Sequence, residues 1–196
     1  MKIHCLVVGE MDTNCYVVES QKGQAFVIDP GDDAPVIRRF LSAHKIGIRF
    51  VVNTHGHIDH IKANADLQVP VYLHEKEAGM VSDVKKNPMS VFFGAFAPVE
   101  PGRRLREGDI VSLDELAFEV IHAPGHTPGG LCLYGHGVLF SGDTLFRDGI
   151  GRTDFPGADP DLMEDSLRKL SKLDEKTVVY PGHGPGTTIG REFKGK

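Results

Sequence analysis

Four times in this chain a short apolar run ends in a small residue and then in a histidine or an aspartate. FVVN precedes THGHIDH (Thr54 to His60), VIHAPG precedes His126, VLFSG precedes Asp143 and VVYPG precedes His183. An apolar run of this kind reads as a buried strand, and strand ends are rigid points from which polar side chains can be aimed. The pattern therefore calls for a fold that gathers several strand ends at one rim. The chain has 196 residues, 40% hydrophobic and 25% charged, which suits one ordinary core and a single domain over residues 1–196.

Charge and composition narrow the function. A net charge of −5 gives no basic footprint for nucleic acid or an anionic membrane surface, so neither is an expected partner. No stretch reaches the roughly 18 apolar residues of a membrane span. The start, MKIHCLVVGEM, reads as a strand and not as an export signal. Cys5, Cys15 and Cys132 are scattered and form no CxxC pair, which fits a reduced, cytoplasmic protein. The sequence does not specify an oligomeric state.

Along the chain, IHCLVV, CYVVES and AFVIDP read as a β-meander. A helix follows, with Val36, Ile37, Phe40 and Leu41 as its apolar face, then the strand IRFVVN leading into the histidine-rich loop. IKANADL reads as a short helix, VPVYLH as a strand and EKEAGMVSDV as a helix, an alternation that favours parallel pairing. Residues 86–102 are irregular and contain Phe92, Phe93 and Phe96. Four more strands follow (DIVSL, LAFEVIHAP, GLCLYG, GVLFSGD), then a helix from about Asp159 to Leu173 and the closing strand KTVVYPG. The helix buries Leu162, Met163, Leu167 and Leu170. The tail GREFKGK, with Arg191, Lys194 and Lys196, reads as a frayed basic end, with contact to a substrate carboxylate as the alternative.

In an extended HGHIDH loop, His55 and His57 project to one side, and a turn after Gly56 and Ile58 swings Asp59 and His60 to a second point. Imidazole suits zinc, iron or nickel, and carboxylates keep the set borderline in softness. Five histidines and two aspartates are too many for one tetrahedral ion and right for two ions sharing a bridge. Singly, His126 or His183 reads as a hydrogen-bonded loop residue and Asp143 as a turn aspartate; the combination is what points to metal. His4, His44, His74, His122 and His136 are background, although His122 lies close enough in sequence to support His126 from behind.

THGHIDH, PGHTPGG, SGDTLF and YPGHGP, in that order, resemble the metallo-β-lactamase superfamily from about Asp29 onward. GDTLFRDGIGRTDFPGAD is most similar to the short glyoxalase II-like (hydroxyacylglutathione hydrolase-like) members. The resemblance implies an α/β four-layer αββα sandwich. It implies that His55, His57 and His126 hold a first divalent ion, that Asp59, His60 and His183 hold a second, and that Asp143 bridges them. The ions it implies are zinc, with iron or manganese as alternatives. The implied reaction is hydrolysis of a small-molecule thioester, a glutathione conjugate or a related one, by hydroxide generated at the ions. Asp59 and Asp143 are then the catalytic carboxylates.

The helical C-terminal glutathione-binding domain of full-length glyoxalase II is expected to be absent, which opens the substrate to other thioesters. Arg147 and Arg152 flank the loop after Asp143 and are the candidates for binding a substrate anion, although Arg152 is equally placed to pair with Asp154. Phe93 and its neighbours either line an acyl pocket or fill the core. Asp29 either orients the ligand loop from behind or caps the following helix. GIGRTDF also resembles persulfide dioxygenases, which implies one iron on His57, His126 and Asp143. Lactone, β-lactam and phosphoester hydrolases share the fold, and a non-catalytic metal-binding module is the alternative from another class.

Overall fold

The computed structural model describes residues 1–194. Strands β1 (Lys2–Val8), β2 (Thr13–Glu19) and β3 (Gln24–Ile28) form the expected meander, followed by α1 (Ala34–His44) and β4 (Gly47–Val52). Two short helical turns, α2 (Ile58–Ile61) and α3 (Asn64–Leu67), lead to β5 (Val71–His74). Helices α4 (Ala78–Ser82) and α5 (Ser90–Phe93) precede β6 (Arg103–Leu105), β7 (Ile110–Leu113), β8 (Leu116–His122), β9 (Leu131–Gly135) and β10 (Val138–Gly142). A small hairpin, β11 (Leu145–Phe146) and β12 (Gly149–Ile150), is followed by α6 (Pro160–Leu170), β13 (Val178–Pro181), β14 (Thr187–Thr188) and α7 (Ile189–Lys194).

The first sheet has the order β1-β2-β3-β4-β5-β6, with β3 to β6 mutually parallel. The second has the order β14-β13-β10-β9-β8-β7, and β10 pairs with β13 in parallel. Strand alternation sorts the side chains into three cores. Phe26 and Ile28 of β3 face the second sheet, meeting Phe118, Leu133 and Phe140, while Ala25 and Val27 face outward beneath Ile37 and Leu41 of α1. Leu139 and Val179, on the outer face of the second sheet, pack with Leu170 of α6 and Ile189 of α7. Helices outside two facing sheets make the αββα sandwich.

Three local expectations change. The apolar face of α1 includes Ala34, and Val36 is exposed, because 3.6-residue periodicity puts Ala34, Ile37 and Leu41 together. In α6 the buried set is Met163, Ser166 and Leu170, with Leu162 outside; Asp159 caps it, accepting from the amides of Asp161 and Leu162 at 2.9 and 3.1 Å. The tail is not frayed up to Lys194: α7 buries Ile189 and Glu192, and the Thr187 hydroxyl donates to Glu192 Oε1 at 2.5 Å. Lys196 lies outside the described residues.

Phe26 stacks on Phe50 (5.3 Å between centroids) and meets the Phe118 ring edge-on (5.7 Å) between the sheets. Phe26→Ala is expected to cost about 3–5 kcal/mol in urea unfolding. A loss below about 1 kcal/mol would show that the inter-sheet core does not depend on this contact.

Candidate metal centre

Strands β3 and β4 are parallel, so Asp29 and the 54–60 loop leave the same edge of the first sheet. In the second sheet β10 and β13 are parallel, and β8 lies two antiparallel steps from β10 and so runs the same way. His126, Asp143 and His183 therefore also leave one edge. The two edges are joined where the Leu131 amide donates to the Thr54 carbonyl at 2.9 Å and the Asn14 amide to the Gly182 carbonyl at 2.8 Å.

The loop is less extended than its sequence suggests, since Asp59 and His60 lie on the helical turn α2. The turn performs the expected swing. His57 Nδ1 stands 3.1 Å from His55 Nε2 and 2.9 Å from His126 Nε2, and the three form one cluster of ligand atoms. His60 Nε2 stands 3.2 Å from His183 Nε2, and Asp59 Oδ2 lies 3.3 and 3.2 Å from these two nitrogens, forming a second cluster. Asp143 lies between the clusters, with Oδ1 3.5 Å from His60 Nε2 and Oδ2 3.5 Å from His126 Nε2. The geometry thus brings all seven expected side chains close together, and His55 also lies within reach of Asp29 and His60 in a third cluster.

The outer nitrogens decide what this arrangement can bind. His126 Nδ1 donates to the Arg152 carbonyl (2.8 Å), His183 Nδ1 to the Met11 carbonyl (3.0 Å) and His60 Nδ1 to Asp29 Oδ2 (3.0 Å). The Thr54 hydroxyl gives its proton to Asp29 Oδ2 at 2.6 Å and so can only accept from His55 Nδ1, at 3.1 Å. These bonds hold a ring proton on Nδ1 and leave Nε2 of four histidines as the atom that takes up a further proton or a cation. Lone pairs converging this closely repel unless a proton or cation lies between them. Asp143 Oδ1 is buried and has no hydrogen-bond donor among the described residues. An orphaned carboxylate oxygen amid imidazole lone pairs fits divalent cations.

The site's electrostatics agree with that fit. Burial, reinforced by the imidazoles of His60, His57 and His126, keeps the His55 pKa well below the usual value. Burial with His126 and His60 nearby brings His57 down to about 3. Burial also opposes charge on His60, yet Asp143, Asp59 and Asp29 outweigh it and hold its pKa well above the usual value. At His183 burial is outweighed by Asp59 and Asp143, and the pKa is raised. Burial would raise the carboxyls of Asp59 and Asp143, but His60 and its neighbours hold both below the usual range.

Of the two readings of Asp29, the geometry selects the orienting one. Asp29 is buried and accepts from the Thr54 amide (2.8 Å), the Thr54 hydroxyl and His60, whereas Asp33 occupies the N-cap of α1. Sequence reasoning missed Glu77. This buried carboxylate accepts from the amides of Gly56 (2.8 Å) and Gly129 (2.6 Å), tying the two histidine loops together. It also missed Asn14 and Tyr16, which donate to the Pro181 carbonyl (3.0 and 2.7 Å) behind His183. His122 supports nothing at the centre; it stacks on His74 at 4.0 Å and reaches the Pro128 carbonyl at 3.1 Å. The Ser141 hydroxyl donates to the Leu145 carbonyl, an ordinary strand-end contact. Gly182 is required where it stands, since a Cβ there would collide with Asp143 Oδ1 and come within 2.8 Å of His60 Cε1.

A cavity of about 530 Å³ opens onto both clusters, reaching His57, Asp59, His126, Asp143 and His183. Its remaining wall is Met11, Met89, Phe146, Ile150, Gly151, Arg152 and Phe155. Arg152 is therefore at the cavity, as expected, but paired with Asp154. Arg147 is not on the wall; its Nε lies 3.9 Å from Asp148 Oδ2, on the exposed hairpin turn. Phe96 fills the core under the first sheet, and the Phe93 side chain lies outside the described residues. Among the described residues no helix is long and apolar enough to cross a membrane.

Comparison with known proteins places these features in a wider group. A family model described as metallo-beta-lactamase superfamily matches residues 8–183. Hydroxyacylglutathione hydrolase GloC of Haemophilus influenzae is 33% identical, over 98% of this chain and 95% of its own length. A crystal structure described as BLEG-1 B3 metallo-beta-lactamase superposes with a TM-score of 0.91 at 36% identity, covering 97% of this chain and 96% of that one. TTHA1623 in a di-iron-bound form gives a TM-score of 0.86 at 36% identity, covering 97% of each chain.

Two outcomes follow from the geometry. Asp29→Ala is expected to weaken metal binding about 10- to 100-fold in chelator competition, through loss of the His60 and Thr54 anchors; unchanged affinity would contradict the orienting role. His60 and His183, with raised pKa values, carry protons in the metal-free protein above the ordinary histidine range. Metal uptake at pH 7 is therefore expected to release protons, with affinity rising as pH rises until both have titrated. Calorimetry in buffers of different ionisation enthalpy measures that release, and its absence would contradict the charge assignment.

Proposed function

The chain belongs to the metallo-beta-lactamase superfamily, as a metallohydrolase, and on that premise we propose that it is a glyoxalase II-like thioesterase acting on a hydroxyacyl-glutathione or a related thioester. One observation carries the reading: two clusters of three ligand-type side chains lie on either side of Asp143, and five of these seven side chains line a single cavity. The Haemophilus relative supports the thioester, since a protein of about this length carries the hydroxyacylglutathione hydrolase name. Three free cysteines, two of them buried, suit the reduced cytoplasmic setting that the reading assumes.

In this reading His55, His57 and His126 would hold one ion, Asp59, His60 and His183 would hold the other, and Asp143 would be available to both. When bound, two divalent ions (zinc here, with iron or manganese as alternatives) polarise the substrate carbonyl and make water acidic enough to deprotonate at a pKa of about 7. The protein's own residues do the rest. Asp59 and Asp143 stay ionised, with carboxyls below the usual range, so they act by charge and position more than as bases. The Arg152 and Met11 carbonyls keep His126 and His183 in one tautomer throughout. Met11, Phe146 and Phe155 shield the reacting end of the substrate from water. Among the described residues the cavity wall carries no general acid of the lysine or tyrosine kind, and a thiolate leaving group, with a thiol pKa of about 8.5, needs none.

The second reading is a persulfide dioxygenase with one iron on His57, His126 and Asp143, favoured by the GIGRTDF segment whose Arg152 carbonyl fixes His126. The similarity to BLEG-1 makes β-lactam hydrolysis a third activity to assay, alongside lactones and phosphoesters.

Protein loaded separately with zinc, iron and manganese is expected to hydrolyse S-lactoylglutathione faster than it consumes oxygen on glutathione persulfide or opens a β-lactam. Asp143→Ala is expected to lower kcat/KM for the thioester by at least about 100- to 1,000-fold. Oxygen consumption confined to the iron form, without thioester turnover, would overturn the first reading in favour of the second.

A further inference from the structure

The cavity's anion-binding capacity is already filled from within. Arg152 is the only lysine or arginine on the cavity wall among the described residues. Its planar fork would suit a substrate carboxylate, gripped through two parallel hydrogen bonds. Asp154 takes that position instead: Arg152 Nε donates to Oδ1 at 2.6 Å and Nη2 to Oδ2 at 2.7 Å. The guanidinium also lies over the Phe155 ring, 3.7 Å from its centroid, so its orientation is held from a second side. One residue separates the partners in sequence, so the internal carboxylate has a large advantage in effective concentration over a dissolved one.

The rest of the non-ligand wall is apolar. Met11 and Ile150 stand about half exposed at the cavity mouth, at 48% and 50%, with Phe146 and Phe155 behind them. Exposed apolar side chains converging on one opening gain by covering an apolar group. We propose that the site selects thioesters without a carboxylate near the reacting end, and that Asp154 sets this preference by occupying the Arg152 fork. Asp154 is then a specificity-determining residue that touches no substrate. The inference rests on the thioesterase reading and deepens it: a glutathione conjugate is held by its acyl end and not by its carboxylates.

Binding tests the inference without requiring turnover. Calorimetry on the metal-loaded protein compares S-hexylglutathione with its diethyl ester, which keeps the alkyl group and caps both carboxylates. The wild type is expected to bind the diester at least as tightly as the diacid. Asp154→Asn is expected to shift the preference toward the diacid by about two- to fivefold, the scale of an exposed ion pair. Adding Arg152→Gln to that variant is expected to abolish the shift. Asp154→Ser, with thermal unfolding of every variant, guards against a folding defect. A wild-type preference for the diacid above about fivefold, a preference unmoved by either Asp154 variant, or failure of both ligands to bind would overturn the inference. Assays of S-lactoylglutathione and its diethyl ester separate the two claims. The expected binding shift without turnover sinks the thioesterase reading alone, and turnover with an unmoved preference sinks this inference alone.

Discussion

The hydrogen bond that His55, His60, His126 and His183 each make on the side away from the site is the interaction on which the rest depends. A ring whose Nδ1 proton is held by a fixed acceptor can turn only Nε2 inward. The acceptors are themselves parts of the two sheets or of loops pinned to them. Asp29 is the most consequential of them. It follows β3 with a positive φ of 49°, and it joins the end of that strand to Thr54 and to His60. Burying a carboxylate costs several kcal/mol unless it is fully satisfied, and its three donors provide that satisfaction.

The site is a seam between sheets. The first sheet supplies four side chains from one loop, and the second supplies three from separate strand ends. Their separation is set by the inter-sheet aromatic layer of Phe26, Phe50, Phe118 and Phe140. Glu77 then reaches across the seam, with one oxygen on the Gly56 amide and the other on the Gly129 amide. Burial raises its pKa, although those same amides pull the other way. Packing fixes the gap between the sheets, and a few buried polar bonds fix the rotation of each loop.

The apolar runs and the residues that end them made most strands and all seven clustered side chains legible in the sequence. Strand alternation is a strong local signal, and a small residue followed by His or Asp marks where each run stops. Glu77, Asn14 and Tyr16 were not legible, because their partners are backbone groups of distant loops and leave no residue-type signature. Strands β6 and β14 and the hairpin of β11 and β12, at two or three residues each, are too short for periodicity to detect. The tail misled because its basic composition hides the contacts of Ile189 and Glu192. Arg147 and Arg152 looked equivalent, five positions apart in one loop, and only the folded hairpin separates the one on the cavity wall from the one on the surface.

On the proposed reading these seven side chains hold two ions, and outward hydrogen bonds fix the tautomers of four of the five histidines. Anomalous diffraction from a zinc-loaded crystal tests it most directly. The account predicts two peaks, one on His55 Nε2, His57 Nδ1 and His126 Nε2, the other on Asp59, His60 Nε2 and His183 Nε2, with Asp143 reaching both. A single peak, or a His57 ring turned to bind through Nε2, would contradict it.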